Sequence, residues 1–246
     1  MDFEVKGEIL SVLEARLGAG ETVISTHGDL GWMTSSIEMS QTTGNKGFMK
    51  AAKRVVGGAG LFLTRYTAEG SPGTVVFPTH LPGTIFSVEV TPQRSYYVHR
   101  SGFLCGTVGI EAEVSMQQKK LTGGLFGGIG FFLQHLTGEG LAWLNMSGEL
   151  FSYDLAQGET LRVHPTHVGA FEEGVSFSVG AIPGLANKFF GGNGFFVASL
   201  SGPGRVWLQS MSINDLAASI AEYLPSSGSS DSGGGAAKGI MGLLNS

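Results

Sequence analysis

Short stretches of alternating apolar and polar residues recur along this chain and predict β-strands with one buried and one solvent-facing side. Residues 86–90 read Phe-Ser-Val-Glu-Val, and residues 151–155 read Phe-Ser-Tyr-Asp-Leu. The apolar run 75–77 ends at Pro78, which has no amide hydrogen for another ladder bond. Eight residues at corresponding strand positions are predicted to lie in the core: Phe86, Val88, Val90, Phe151, Tyr153, Leu155, Trp143 and Trp207.

Two blocks of sequence recur at nearly constant spacing. The first reads Gly-(Leu/Phe)-Phe-(Leu/Val) and begins at Gly60, Gly130 and Gly194, which are 130 − 60 = 70 and 194 − 130 = 64 positions apart. The second is the strand pattern 85–90, which matches 150–155 at an offset of 150 − 85 = 65. Recurrence at a fixed period indicates that one architecture is used several times. We therefore predict three repeats.

Short strands separated by frequent turn signals are typical of β-sandwiches and barrels. We predict an all-β fold of three repeated double-stranded β-helix or β-sandwich units in a pseudo-threefold arrangement, with a C-terminal helix. Closing such a ring would protect strand edges from unwanted pairing. The predicted repeats span residues 1–83, 84–148 and 149–211, and with the helix at 212–224 they form one body over residues 1–224.

Helical signals are sparse. Ser212 is a candidate N-cap for the C-terminal helix, which Pro225 would end. Asn45 is a candidate N-cap for a second helix that would end at the glycine pair starting at 57. Residues 225–235 are rich in Ser and Gly and predict a flexible linker, and residues 236–246 form a short apolar tail.

Composition supports a folded, water-soluble protein. The chain has 246 residues, of which 42% are hydrophobic, so it can bury a sizeable core. Its 40 glycines favour many tight turns, and its net charge of −5 argues against a dominant role in nucleic-acid binding. A single cysteine, no apolar core of a signal peptide and no apolar run of about 20 residues lead us to expect a cytoplasmic protein.

The repeats, the Gly-Gly-x-Gly block after a Lys-bearing segment, and the Leu-Pro-Gly-Thr-Ile sequence at 81–85 together resemble the altered inheritance of mitochondria 24 family. The resemblance covers residues 1–224. It implies a fold like that of the tryptophan RNA-binding attenuator protein, with three sandwiches in one chain arranged like subunits of a ring. Bacterial members have no assigned reaction, and eukaryotic members are linked to organisation of the mitochondrial inner membrane. The family has no established catalytic residues, so the resemblance implies none here.

Histidines are the first candidates for chemistry, because double-stranded β-helices include the metal-binding cupins. His164, His167 and Glu172 form a His-x-x-His pattern followed by an acid, with His99 at the position of His164 one repeat earlier. Cupin ligands use His-x-His, because residues two apart on a strand share a face whereas residues three apart do not. We therefore interpret these side chains as surface or inter-unit histidines. The same structural interpretation applies to three others: His27, His80 and His135.

Neither the glycine blocks nor the cysteine predict a catalytic site. None of the blocks has the spacing of a dinucleotide-binding or phosphate-binding loop, so we interpret their glycines as turn residues. Cys105 follows an apolar pair and has no flanking cation that would lower the pKa of its thiol. We expect it to be a small buried residue.

Cationic and large apolar residues precede each Gly-Gly-x-Gly block. In a pseudo-threefold body the three segments would occupy equivalent positions, and a basic rim with apolar side chains suits an anionic membrane surface or a protein partner. Alternatively, the Phe and Leu side chains fill the junctions between units. The candidate interaction surface is Lys46, Phe48, Lys50, Lys53, Arg54, Lys119, Lys120, Phe126, Lys188 and Phe189.

The predicted function is that of a non-enzymatic binding or scaffold protein that acts at a membrane surface or on a protein partner, without a cofactor. One alternative is a cupin-like small-ligand or metal-binding enzyme, which stoichiometric metal lost on His164→Ala would support. The second alternative is RNA binding by fold analogy, which would require salt-dependent retention on RNA.

Overall fold

The computed structural model describes residues 1–26, 28–41, 63–114, 133–181, 196–221 and 223–224. These ranges contain nineteen strands, one 3-10 helix and one α-helix. The strands are β1 (Asp2–Lys6), β2 (Val12–Leu17), β3 (Thr22–Thr26), β4 (Trp32–Met33), β5 (Ile37–Gln41), β6 (Leu63–Ala68), β7 (Gly73–Pro78), β8 (Gly83–Val90), β9 (Tyr96–His99), β10 (Phe103–Thr107), β11 (Ile110–Val114), β12 (Leu133–Gly138), β13 (Gly140–Ser147), β14 (Leu150–Leu155), β15 (Thr160–Val163), β16 (Val168–Glu172), β17 (Ser176–Ala181), β18 (Phe196–Ser201) and β19 (Gly204–Gln209). The 3-10 helix is Pro165–His167, and α1 is Ile213–Ala221. This content confirms the predicted all-β fold.

The described strands form four sheets. The first has the order β1-β2-β7-β4, the second β5-β6-β3-β10-β13-β8, the third β11-β12-β9-β16-β19-β14 and the fourth β15-β18-β17. All the ladders within these sheets are antiparallel. Adding six to each strand number of the second sheet gives the order of the third. Read in reverse, the fourth sheet has the order β17-β18-β15, which is β5-β6-β3 with twelve added to each number. Three strands of the first sheet, read in reverse as β4-β7-β2, match β10-β13-β8 with six subtracted.

This order divides the strands into three segments of six: a first segment β2–β7, a second β8–β13 and a third β14–β19. The second sheet joins the first two segments where β3 pairs with β10. The third sheet joins the last two where β9 pairs with β16. We call these contacts the first and second junctions. In the described residues β15, which corresponds to β3 and β9, pairs with β18 alone.

The two joined sheets share a local irregularity. The β10–β13 ladder shifts register between Phe103 and Cys105, and the β16–β19 ladder shifts between Val168 and Ala170. An extra residue in one strand bends it and increases its twist. At the first bulge the carbonyl of the extra residue, Leu104, accepts a buried hydrogen bond of 2.5 Å from the Ser25 hydroxyl. The carbonyl group of the extra residue is therefore satisfied.

Each segment encloses a cluster of buried side chains, and its neighbour contributes to that cluster. Trp143 of the second segment packs into the cluster of the first, and Trp207 of the third packs into the cluster of the second. The clusters are represented by Leu13, Tyr66 and Phe77 in the first segment, by Val90, Val98 and Leu144 in the second, and by Phe171, Leu200 and Val206 in the third. The junctions are therefore part of the core.

The structure confirms the predicted burial of some core residues and contradicts it for others. Burial of Val88, Val90, Leu155, Trp143 and Trp207 is confirmed, and Phe86 is partly buried against the second cluster. The prediction for Phe151 and Tyr153 is wrong, because both side chains are exposed. The reason lies in what covers each strand, as described below.

The chain separates into two compact units, residues 1–212 and 213–246. In the second unit α1 starts at Ile213, directly after the predicted cap, and ends at Ala221, three residues before the predicted end. No helix in the described residues is long and apolar enough to cross a membrane. The predicted helix after Asn45, the linker 225–235 and the tail 236–246 lie outside the described residues.

Candidate interaction surface

All ten residues of the predicted Lys-and-Phe surface lie outside the described residues. The strands on either side of these segments are described, and they pair with each other in every case. Each segment therefore connects two adjacent antiparallel strands: β5 to β6, β11 to β12, and β17 to β18. The positions of the Lys and Phe side chains, and whether they share one face, stay predictions.

The two histidines of the predicted His-x-x-His pattern make separate hydrogen bonds within the protein. The Nδ1 atom of His164 lies 2.7 Å from the Thr166 hydroxyl, and the Nδ1 atom of His167 lies 2.8 Å from the Gln209 carbonyl oxygen. Their ring centroids are 6.2 Å apart. Within the part of the chain that the structure describes, no three His, Cys, Asp or Glu side chains are arranged to hold a metal ion.

Burial alters the acid–base properties of two other candidates. The thiol of Cys105 is fully buried, as predicted, and burial raises its pKa. The pKa of His99 falls to about 4, mainly because burial disfavours the charged ring and secondarily because Arg100 is cationic. Both groups are therefore uncharged in the folded protein at neutral pH.

Two histidines without a partner in the sequence pattern have acidic partners in the structure. His80 Nε2 lies 2.8 Å from Asp29 Oδ1. His135 Nε2 lies 3.9 Å from Glu173 Oε1 and 3.3 Å from the Ser95 hydroxyl, which itself donates to Glu173. Because these partners are about 40 or more residues apart in the chain, no local motif signals them. His27 lies outside the described residues.

The Ser95–His135–Glu173 group has the composition of a nucleophilic triad but a different connectivity. In a triad, histidine bridges the serine and the acid through its two ring nitrogens. Here the Glu173 carboxylate accepts a hydrogen bond directly from the Ser95 hydroxyl, and it lies near the same Nε2 atom of His135 that contacts this hydroxyl. The Glu173 backbone amide also donates to the Ser95 carbonyl, at 3.1 Å. The group fastens the second junction and does not place a base on a free hydroxyl.

Aromatic stacking covers the outer side of the first two segments in the same way. Trp143 stacks on Phe3 of β1 with ring centroids 3.7 Å apart, and Trp207 stacks on Phe86 of β8 at 5.9 Å. The tryptophans occupy equivalent positions, because Trp143 pairs with Ser87 and Trp207 with Ser152, 65 residues further on. Trp207 covers an aromatic ring of the preceding segment, and Trp143 covers one on β1, the strand that pairs with the edge of the preceding segment.

The third segment also has aromatic side chains at its edge, but no tryptophan of the described residues stacks on them. Phe151 and Tyr153 of β14 are 50% and 46% exposed. They lie opposite Leu208 and Val206 of β19, so they extend the apolar face of the third cluster to the outside of the sheet. β14 ends its sheet, and β19 is its only partner strand in the described residues. We call strand Leu150–Leu155, with its unpaired outer side, the β14 edge.

A second aromatic exposure occurs on the first segment. Trp32 of the short strand β4 is 58% exposed, and its register partner on β7 is Val76. Sequence periodicity gave no indication of it, because β4 has only two residues. A tryptophan directly after Gly31 would have been the available signal.

Comparison with known proteins identifies the family of the chain. Residues 3–211 match the family described as Mitochondrial biogenesis AIM24. An uncharacterized protein of Streptococcus pyogenes serotype M6 is 23% identical over 223 residues, which cover 88% of each chain. The mitochondrial altered inheritance of mitochondria protein 24 of Verticillium alfalfae is 26% identical over 171 residues, 69% of this chain and 43% of the fungal protein.

A solved structure shares the fold. The crystal structure of a Streptococcus pyogenes protein superposes with a TM-score of 0.71 and covers 91% of this chain and 99% of the other, at 20% sequence identity. At this identity the likeness concerns the fold alone. Together with the family match over nearly the whole body, it bears out the resemblance found in the sequence. The chain belongs to the Mitochondrial biogenesis AIM24 family.

Proposed function

We propose that this chain is a non-enzymatic binding protein that presents the β14 edge to a protein partner. The observation that carries the proposal is the exposure of Phe151 and Tyr153, 50% and 46%, on a strand whose outer side pairs with no other strand of the described residues. The corresponding side chains of the second segment, Phe86 and Val88, are packed against the core.

Exposed edge strands are a hazard, because their free amide and carbonyl groups pair with other strands. Proteins usually protect such edges with charges, proline, bulges or a covering element. The charge on β14, Asp154, is paired with Arg205 of the neighbouring strand, and two large aromatic side chains are exposed beside it. This favours addition of a strand from a partner, because backbone hydrogen bonds supply affinity and alternate side chains supply specificity. Aromatic residues are also enriched among the residues that dominate binding energy.

Site-specific crosslinking in the native cell tests this function. A photoreactive phenylalanine analogue in place of Phe151 is expected to crosslink to a protein partner. The same analogue in place of Leu141 is the matched control, because Leu141 is similarly exposed, at 41%, but lies on β13, which is paired on both sides. Equal crosslinking from both positions, or none from Phe151, would remove the support for the proposal.

The Lys-and-Phe segments carry a separate proposal, binding to an anionic membrane surface. Its support is the sequence, together with the finding that each segment connects a pair of adjacent strands. Replacing Lys50, Lys53 and Arg54 by Glu is expected to weaken flotation with vesicles that contain an anionic lipid. The same triple substitution is expected to leave crosslinking from Phe151 unchanged. Unchanged flotation would contradict this second proposal only.

A further inference from the structure

The first segment shows which kind of strand pairs with an edge equivalent to β14. In the first segment β2 corresponds to β14, and its outer side pairs with the additional strand β1 over Asp2–Lys6. This pairing places Phe3 and Val5 opposite Ala15 and Leu13, and Phe3 stacks on Trp143. An added antiparallel strand with apolar residues at alternate positions therefore completes this kind of edge.

Charge excludes β1 of another molecule as the strand that completes the β14 edge. On β2 the residue opposite Asp2 is Arg16, whose guanidinium lies 3.2 Å from the Asp2 carboxylate and 2.7 Å from that of Glu4. Counted from the last pair of each ladder, Leu17–Gly73 and Leu155–Gly204, the residue of β14 at the position of Arg16 is Asp154. A second β1 would place two carboxylates opposite each other, which is destabilising.

The sequence of β14 is instead complementary to itself. We propose that two copies of this chain associate through their β14 edges, antiparallel about a twofold axis at Ser152. Residues whose numbers sum to 152 + 152 = 304 then lie opposite each other. Phe151 of each copy faces Tyr153 of the other, Leu150 faces Asp154, and Ser152 faces Ser152.

This register avoids the opposed carboxylates that exclude β1. The two acidic side chains at the edge, Glu149 and Asp154, face Leu155 and Leu150 of the other copy, so no like charges are opposed. The two aromatic pairs lie on the face that continues the third cluster, where aromatic cross-strand pairs are stabilising. The twofold arrangement is also closed, so that it uses both edges and does not propagate into a fibre.

The proposed interface is small, and its size determines how stable the dimer is. A strand of six residues buries less than the roughly 1,200 Å² of stable protein–protein interfaces. The dimer is therefore expected to dissociate on dilution. It rests on the proposed function of the β14 edge, and it names a second copy as the partner.

Sedimentation equilibrium of the full chain over a concentration series provides the first test. The mass is expected to rise from 25.7 kDa towards twice that value with increasing concentration. Tyr153→Lys places a cation at the exposed edge and is expected to weaken association about tenfold or more. The control Leu141→Lys replaces a side chain of similar exposure on a strand without a free edge and should associate like the wild type. Circular dichroism checks that both variants fold.

Disulfide trapping tests the register. Ser152→Cys places a thiol opposite its own copy across the axis and is expected to give a covalent dimer on mild oxidation. The control is Ser178→Cys, which lies at another exposed position on the edge strand β17 and should stay monomeric. The native Cys105 is fully buried and does not interfere.

The outcomes separate the dimer from the proposed function. A monomer at every concentration overturns the dimer, and so does association that Tyr153→Lys leaves unchanged or a Ser152→Cys variant that crosslinks no better than Ser178→Cys. Phe151 crosslinking in the cell to a different protein would then leave the proposed function standing. Failure of both experiments would reject both.

Discussion

Strands β8 and β14 have the same alternating sequence pattern but different surroundings. On β8, Val88 and Val90 are buried and Phe86 stacks on Trp207 of the next segment. On β14, the residues at the positions of Phe86 and Val88 are Phe151 and Tyr153, and both are about half exposed. Alternation determines which side chains share a face of the sheet. Whether that face is buried depends on what the next part of the chain places on it.

A tryptophan at one ladder position accompanies each covered ring. Trp143 and Trp207 lie three pairs from the ends of the β8–β13 and β14–β19 ladders, Val90–Gly140 and Leu155–Gly204. In the first segment the same position on β7, counted from Leu17–Gly73, is Val76. Two of the three segments therefore have a tryptophan at this ladder position. A smaller side chain at that position covers less surface.

The largest expected effect is the loss of the covering tryptophan at the second junction. Trp207 is 8% exposed and packs on Phe86 and Tyr96, with ring centroids 5.9 and 5.8 Å away. Trp207→Ala is expected to lower the free energy of unfolding by about 3–5 kcal/mol, since the cavity lies inside the second cluster. Chemical denaturation measures it. Trp32→Ala, at an exposed position, should stay within about 0.5 kcal/mol of the wild type, and equal losses in the two variants would contradict the comparison.

The sequence predicted these strands of the fold correctly, but it did not predict which strand edges are covered. The alternation at 86–90 and 151–155 identified both strands, because period two follows from the geometry of one strand. It did not predict that one edge is covered and the other is not, because this depends on residues more than 50 positions away. The sequence did not predict the Ser95–His135–Glu173 group for the same reason, since its members come together through strand pairing.

A second prediction concerns His99, whose pKa in the folded protein is about 4, compared with 6.5 in the unfolded chain. Above pH 6.5 both states are neutral and the stability is full. As the pH falls from 6.5 to 4, the unfolded chain takes up a proton that the folded chain does not, so stability is lost by up to about 3 kcal/mol.

Urea denaturation at a series of pH values measures this loss. The difference in unfolding free energy between the wild type and His99→Asn isolates the contribution of His99, because the other titrating groups are common to both proteins. This difference should shrink as the pH falls through the interval. A difference that does not change with pH would show that burial does not lower the pKa of the His99 imidazole in the folded protein.

A third prediction compares the two covered rings at the edges. Phe3 and Phe86 are partly buried and each stacks on a tryptophan. Phe3→Ala and Phe86→Ala are each expected to lower the free energy of unfolding by about 1–3 kcal/mol, from lost apolar burial and stacking. The denaturant dependence should be unchanged, because neither variant alters the surface exposed on unfolding appreciably. A large loss for one variant and none for the other would show that the two junctions are not equivalent.

The smallest expected effect is at the exposed counterpart of Phe86. Phe151→Ala removes a ring that is 50% exposed, so it is expected to cost less than about 1 kcal/mol of unfolding free energy in the monomer. Urea denaturation at low protein concentration measures this value without the contribution of self-association. At high concentration the same substitution should weaken association, because the proposed cross-strand pair of Phe151 and Tyr153 is lost. A loss of about 3 kcal/mol or more in the dilute protein would mean that the ring is buried in solution, and the contrast between β8 and β14 would not hold.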